Sequence, residues 1–221
     1  LGSSAVVPAV PASIPIAVRE HANSYVIAAN PLAAQAGMNV LKRGGNAVDA
    51  AIAVQAMLSL VEPQSSGVGG GAFMTYLDAK TGKITVYDGR EVAPAQAVST
   101  MFLDPSGKPL PFNSAVVSGR ATGVPGAVKM LSLAHDEHGK LPWNSLFGDA
   151  ERTAEEGFIV SPRLERMIHA DYAENHAPDV IAYFSKPDGT LMSTGDRLVN
   201  KAYAEFLRRL AREDSPPGVI V

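Results

Sequence analysis

Val61-Glu62-Pro63-Gln64-Ser65-Ser66-Gly67-Val68-Gly69-Gly70-Gly71-Ala72-Phe73, followed by Tyr87-Asp88-Gly89-Arg90-Glu91-Val92-Ala93-Pro94, is the stretch around which the chain is organised. Four glycines among positions 67 to 71 leave a backbone almost bare of side chains, so another segment or a ligand can come close to its amides. Ordering such a loop costs conformational entropy, and its flanks must justify that cost. Upstream, Asn46 to Val61 is apolar on every face and too short to span a bilayer, which predicts a helix buried in a large core. Asn46 is placed to cap its first turn, and Asp49 to meet the positive end of the helix dipole. Downstream, Ala72 to Leu77 and Ile84 to Asp88 read as two short strands joined by a loose connection, Asp78 to Lys83. The predicted order is buried helix, glycine loop, hairpin, and an arginine just past the second strand.

That order decides how the glycines are read. Gly67-x-Gly69-x-x-Ala72 fits the spacing of a dinucleotide fingerprint, but the fingerprint needs a strand before it and a helix after it, the reverse of what stands here. There is no Gly-Lys-Ser/Thr ending either, which excludes a phosphate loop. The 221 residues are 46% hydrophobic, enough for one sizeable core, and the net charge of −3 comes with no basic stripe to recommend nucleic acid or an anionic membrane. Zero cysteines exclude a disulfide framework and thiolate metal sites. His135 and His138 lie three apart on a predicted helix but lack a third ligand and a His-Glu-x-x-His pattern, so no metal is expected and both are assigned to a solvated helix end. No cofactor is expected.

Elsewhere, residues 1–19 read as a flexible leader and 20–221 as a single incomplete domain. Tyr25 to Ala29 is a strand candidate. Asn30-Pro31 then opens a helix whose stripe of small residues permits close approach to the next helix, and Gly44-Gly45 ends it. Val92 to Pro125 reads as surface loops with a short helix near Thr100. A second glycine-rich turn, Gly119 to Gly126, contains Arg120 and feeds a helix from Ala127 to His138 stopped by Gly139. Trp143, the only tryptophan, reads as a packing anchor. Asp149 to Glu156 reads as a polar helix, Phe158 to Val160 as a short strand, and Ser161-Pro162 as the start of another helix. The last helix is predicted from about Arg197 to Arg212, capped by Asp196, with Leu198, Ala202, Phe206 and Leu210 as its stripe. From Ser215 the Pro-Pro-Gly ending reads as loose.

Asn30-Pro31-Leu32-Ala33, Gly44-Gly45-Asn46-Ala47-Val48-Asp49-Ala50-Ala51, Glu62-Pro63 with Ser66 to Gly71, Arg90-Glu91-x-Ala93-Pro94, and Gly123-Val124-Pro125-Gly126 resemble, in the same order, the gamma-glutamyltransferase (glutathione hydrolase) family. The likeness runs from about Tyr25 to about Phe158. It implies an α+β fold, the αββα sandwich of N-terminal-nucleophile hydrolases, in a precursor that cuts itself into a large and a small subunit. It also implies that these residues are the N-terminal part of the large subunit, and that the threonine nucleophile lies outside them. No catalytic residue is therefore assigned within this chain. The implied activity is transfer or hydrolysis of gamma-glutamyl groups from glutathione and similar amides, with the small subunit as partner. The implied location is periplasmic or secreted, with a signal peptide already removed.

A gamma-glutamyl head carries a carboxylate and an ammonium, and forked donors with a permanent positive charge suit that carboxylate. Arg90 stands where the resemblance puts the carboxylate-binding arginine. Glu91 is expected to hold Arg90 or its backbone in place rather than touch substrate. Arg120 ranks below Arg90 as a residue facing the same cleft, and the Gly67 to Gly71 loop is most simply a packing device. Two alternatives stay open: a cephalosporin acylase or polyglutamate-processing relative of the same fold, and a non-catalytic structural or binding fragment.

Overall fold

The computed structural model describes residues 24–212. In chain order its elements are α1 (Pro31–Lys42), α2 (Ala47–Val61), β1 (Ala72–Leu77), β2 (Ile84–Gly89), α3 (Phe112–Val116), α4 (Ala127–His138), α5 (Gly148–Glu156), β3 (Phe158–Ile159), α6 (Pro162–Ile168), α7 (Pro178–Tyr183), β4 (Arg197–Leu198) and α8 (Lys201–Arg212). Short 3-10 turns lie between several of them. The leader predicted up to residue 19 and the ending predicted from Ser215 fall outside the described residues.

Helix α2 is the axis. No residue from Val48 to Val61 is exposed, as its apolar circumference requires: α1 covers one side, and α4 and α5 pack on the others. Asn46 Oδ1 accepts from the N–H groups of Val48 and Asp49, and Asp49 Oδ2 accepts from Asn46 N–H at 2.9 Å, closing a reciprocal cap. The fully buried Asp49 also accepts from the N–H groups of Lys140 and Leu141, so one carboxylate ties the start of α2 to the chain leaving α4. Helix α1 comes close because its inner stripe is small. A Cβ built on Gly37 would stand 2.7 Å from Val54 Cγ2.

β1 and β2 form an antiparallel hairpin, Ala72 opposite Gly89 and Leu77 opposite Ile84. Alternation divides it into two faces. Met74, Tyr76 and the buried Tyr87 pack against the core on the α4 side. On the other face Phe73, Leu77, Ile84 and Val86 are each roughly 60% exposed or more (65, 59, 63 and 64%). At the far end α8 lies on α5, and the Trp143 indole N–H donates to the Leu210 carbonyl at 3.0 Å while its ring meets Phe147 edge-on. Trp143 is thus a packing anchor, as read from the sequence.

Four expectations need correction. Tyr25 to Ala29 is extended but pairs with no strand among the described residues, and Ile27 is 95% exposed. The region near Thr100 makes only isolated turns, because Asp104 draws in the N–H groups of Ser106 and Lys108; the short helix is α3, ten residues later. Arg197 and Leu198 are not helical. They form β4, paired with β3, and α8 begins at Lys201 behind Asn200, whose Oδ1 accepts from Tyr203 N–H. Asp196 instead accepts from Ser193 N–H. The buried stripe of α8 is accordingly Ala204, Leu207 and Leu210, while Ala202 is exposed. Lastly, His135 and His138 do not decorate a solvated end. His135 Nε2 lies 2.9 Å from the Leu141 carbonyl and 3.7 Å from Asp49 Oδ1, and the His138 ring stacks on Tyr76 at 4.2 Å. Both sit under neighbours because the chain turns back on α4 right after Gly139.

Candidate functional site

Arg90 sits one residue beyond β2. Its backbone N–H donates to Asp88 Oδ1 at 2.9 Å, which closes the turn out of the strand. Two residues on, Val92 and Val124 exchange backbone hydrogen bonds at 3.3 and 2.8 Å, so the segment after the hairpin runs beside the second glycine turn. Between them lies a cavity of about 390 Å³ lined by Arg90, Glu91, Met101, Phe102, Arg120 and Gly123, among others. The structure therefore brings Arg90 and Arg120 to one concavity although thirty positions separate them. The Arg90 side chain is 69% exposed, and its Nη1 is 3.3 Å from Glu91 Oε2.

Glu91 explains the glycines. A Cβ on Gly71 would stand 2.5 Å from Glu91 Oε2 and 2.8 Å from the Gly89 carbonyl, and one on Gly123 would stand 3.0 Å from Glu91 Cβ. Both glycine turns are bare where this carboxylate side chain lies between them. They are also joined directly, since the Gly70 carbonyl accepts from the N–H groups of Gly126 and Ala127 at 3.2 and 3.1 Å. The N–H dipoles of Glu91 itself and of Gly71, and then the Arg90 charge, hold the Glu91 carboxyl below the ordinary glutamate range against its partial desolvation. None of them closes a full hydrogen bond to Oε2, which is cut off from solvent. The arrangement presents a guanidinium steadied from one side by a fixed anion, with the rest of its donors toward solvent.

One residue at the root of the loop carries no signal in the sequence beyond its motif. Glu62, 1% exposed, accepts from Asn30 Nδ2 at 3.0 Å and from Gln64 Nε2 at 2.7 Å, with Arg163 Nη1 at 3.4 Å. Asn30 uses its other side-chain atom to cap α1, accepting from Leu32 N–H. A single buried carboxylate thus fastens the start of α1, the start of α6 and the first residues of the glycine loop. On the far side of α4, the Tyr87 hydroxyl donates to Glu137 Oε2 at 2.6 Å, and burial together with that bond pushes its pKa up to about 12, so it stays protonated at neutral pH.

Residues 33–217 match the family model described as gamma-glutamyltranspeptidase. Over 186 residues the chain is 42% identical to the glutathione hydrolase proenzyme of Bacillus subtilis (strain 168), covering 84% of this chain and 32% of that protein. It is 37% identical over 194 residues to the glutathione hydrolase proenzyme of Escherichia coli (strain K12), covering 86% and 33%. Among solved structures it resembles the Helicobacter pylori gamma-glutamyltranspeptidase with a TM-score of 0.79 at 30% identity, over 88% of this chain and 55% of that one. It also resembles a cephalosporin acylase from Bacillus halodurans with a TM-score of 0.67 at 29% identity, over 93% and 39%. The chain spans about a third of the length of these curated relatives. Its fold is the α+β fold of N-terminal-nucleophile hydrolases, and with nearly all the described residues inside the matched span, the chain belongs to the gamma-glutamyltranspeptidase family.

Proposed function

We propose that this chain is the substrate-holding part of an enzyme that transfers or hydrolyses gamma-glutamyl groups, with Arg90 binding the substrate's α-carboxylate. The observation that carries the reading is Arg90 itself, on the family-matched motif, exposed at a cavity and steadied by Glu91. A threonine outside this chain supplies the nucleophile. Its hydroxyl oxygen attacks the gamma-carbonyl carbon while its own α-amine takes the proton. The C–N bond then breaks, the leaving amine departs with a proton, and a glutamyl ester remains for water or an acceptor amine to open. Arg90 lowers the entropic cost of attack by fixing the far end of the glutamyl group. Glu91 acts through Arg90 and the loop backbone, not on the substrate.

The partner in this reading is the small subunit of the same precursor. The exposed apolar face of the β1–β2 hairpin supports it, since Phe73, Leu77, Ile84 and Val86 form the kind of contiguous patch that another part of a folded protein covers. Glutathione is the first substrate to test, by the names of the relatives. A periplasmic or secreted setting follows from the same kinship, and among the described residues no helix is long and apolar enough to cross a membrane.

In the processed full-length enzyme, Arg90→Ala should raise KM for a gamma-glutamyl anilide by about 10- to 100-fold, as expected for losing a charge-assisted forked contact, and Arg90→Lys should recover only part of it. Unchanged kinetics would remove Arg90 from the site. Residues 1–221 alone should be inert; turnover by them would put the nucleophile inside this chain. The likeness to the cephalosporin acylase favours one second reading, an acylase acting on a different side chain, and a panel of gamma-glutamyl amides and acylated β-lactams separates the two.

A further inference from the structure

Three charged side chains line the cavity beside the glycine turns: Arg90, Arg120 and Glu91. Glu91 lies 3.3 Å from Arg90, whereas Arg120 forms no ion pair among the described residues. Its one hydrogen bond runs from Nη1 to the Met101 carbonyl at 3.0 Å. That bond fixes the direction of the guanidinium and leaves most of its five N–H donors unused, on an exposed side chain at the cavity wall. The cavity therefore carries one cation more than it has anions. If Arg90 takes the α-carboxylate of a glutamyl head, as proposed above and on which this inference rests, the head's ammonium and carboxylate are balanced between themselves. A second anion must then come from elsewhere on the ligand.

We infer that Arg120 is a specificity-determining residue that recognises a carboxylate on the leaving-group side of the gamma-glutamyl amide. The substrate class is gamma-glutamyl peptides with a free C-terminal carboxylate, favoured over amides of neutral amines. Arginine suits such recognition because its charge is permanent and its planar fork matches a carboxylate. Because the side chain is exposed, its contribution is that of a solvated ion pair strengthened by hydrogen bonds, which corresponds to about a three- to tenfold preference.

A matched pair of chromogenic donors tests this in the processed full-length enzyme: gamma-glutamyl-4-nitroanilide and gamma-glutamyl-3-carboxy-4-nitroanilide, which differ by one carboxylate on the leaving group. The measured quantity is the ratio of their kcat/KM values. Arg120→Ala should lower the ratio of carboxylated to plain donor by about three- to tenfold, Arg120→Glu should lower it further, and Arg120→Lys should keep part of it. In the unmodified enzyme the same ratio should fall as sodium chloride is raised, since an exposed pair is screened. A ratio that neither Arg120→Ala nor salt moves would overturn the inference. So would a lowered melting temperature with the ratio intact, which would make Arg120 a counter-ion for a carboxylate elsewhere in the protein. Arg90→Ala is the separating control. It should weaken both donors in parallel and leave the ratio in place, so a failure of the Arg90 reading shows as unaffected KM and a failure of the Arg120 reading as an unaffected ratio.

Discussion

Arg90 and Glu91 are neighbours in sequence, yet they differ in what the fold does to them. Arg90 stays 69% exposed while its neighbour's Oε2 is shut off from solvent between two glycine turns. That asymmetry gives a pH prediction with a definite sign. The folded-state pKa of Glu91 is depressed, so its hold on Arg90 is complete above the ordinary glutamate range and is lost only as pH falls through a lower value. The acid limb that Glu91 contributes to kcat/KM should therefore lie below about pH 4.3, and Glu91→Gln should abolish that limb and raise KM at neutral pH. A pH profile of the two proteins checks it. Gly71→Ala tests the cradle directly. Its methyl would overlap Glu91 Oε2 and the Gly89 carbonyl, so KM should rise several-fold and stability should fall by about 1–3 kcal/mol, read by urea denaturation. The sequence named both charged residues through their motif, but it offered no sign that the glycines exist to admit a carboxylate.

At the scale of elements, two buried carboxylates fasten helices that hydrophobic periodicity alone would leave free to slide. Asp49 accepts from backbone groups at both ends of a separation of about ninety residues, and Glu62 joins α1, α6 and the glycine loop. Asp49→Ala would leave several buried N–H groups unpaired and should cost about 3 kcal/mol or more. Glu62→Ala should cost somewhat less, about 2 kcal/mol, because its cationic partner Arg163 is half-exposed and can turn to water. Chemical denaturation of the full-length protein ranks the two. Sequence signals for α1, α2, α4, α5, α6 and the hairpin were local, namely a capping side chain, a proline in the first turn, a stop at glycine, an alternating strand, and these elements stand where read. The end of the chain misled because Leu198 fits a helical stripe as well as it fits a two-residue strand, and only the presence of β3 beside it decides between them.

For the whole molecule the telling feature is an imbalance. One face of the hairpin is sealed against the α4 side of the core, and the other bears four large apolar side chains in solvent. Val86→Asp should hardly disturb the fold of this chain, since Val86 is 64% exposed, yet it should weaken association of the two processed halves of the precursor; co-purification of the halves measures it. The amino-acid order by itself determined the succession of buried helix, glycine loop, hairpin and arginine, and through its ordered motifs the family, because caps, periods and motifs are written in neighbouring positions. Tertiary structure alone decided that Arg120 shares a cavity with Arg90, that Glu91 lies in a cradle of glycines, and that β3 finds β4. The physical reason is that these contacts join segments tens of residues apart. Whether they meet is set by how α1, α4, α5 and the hairpin pack in layers about α2, and no local pattern records that.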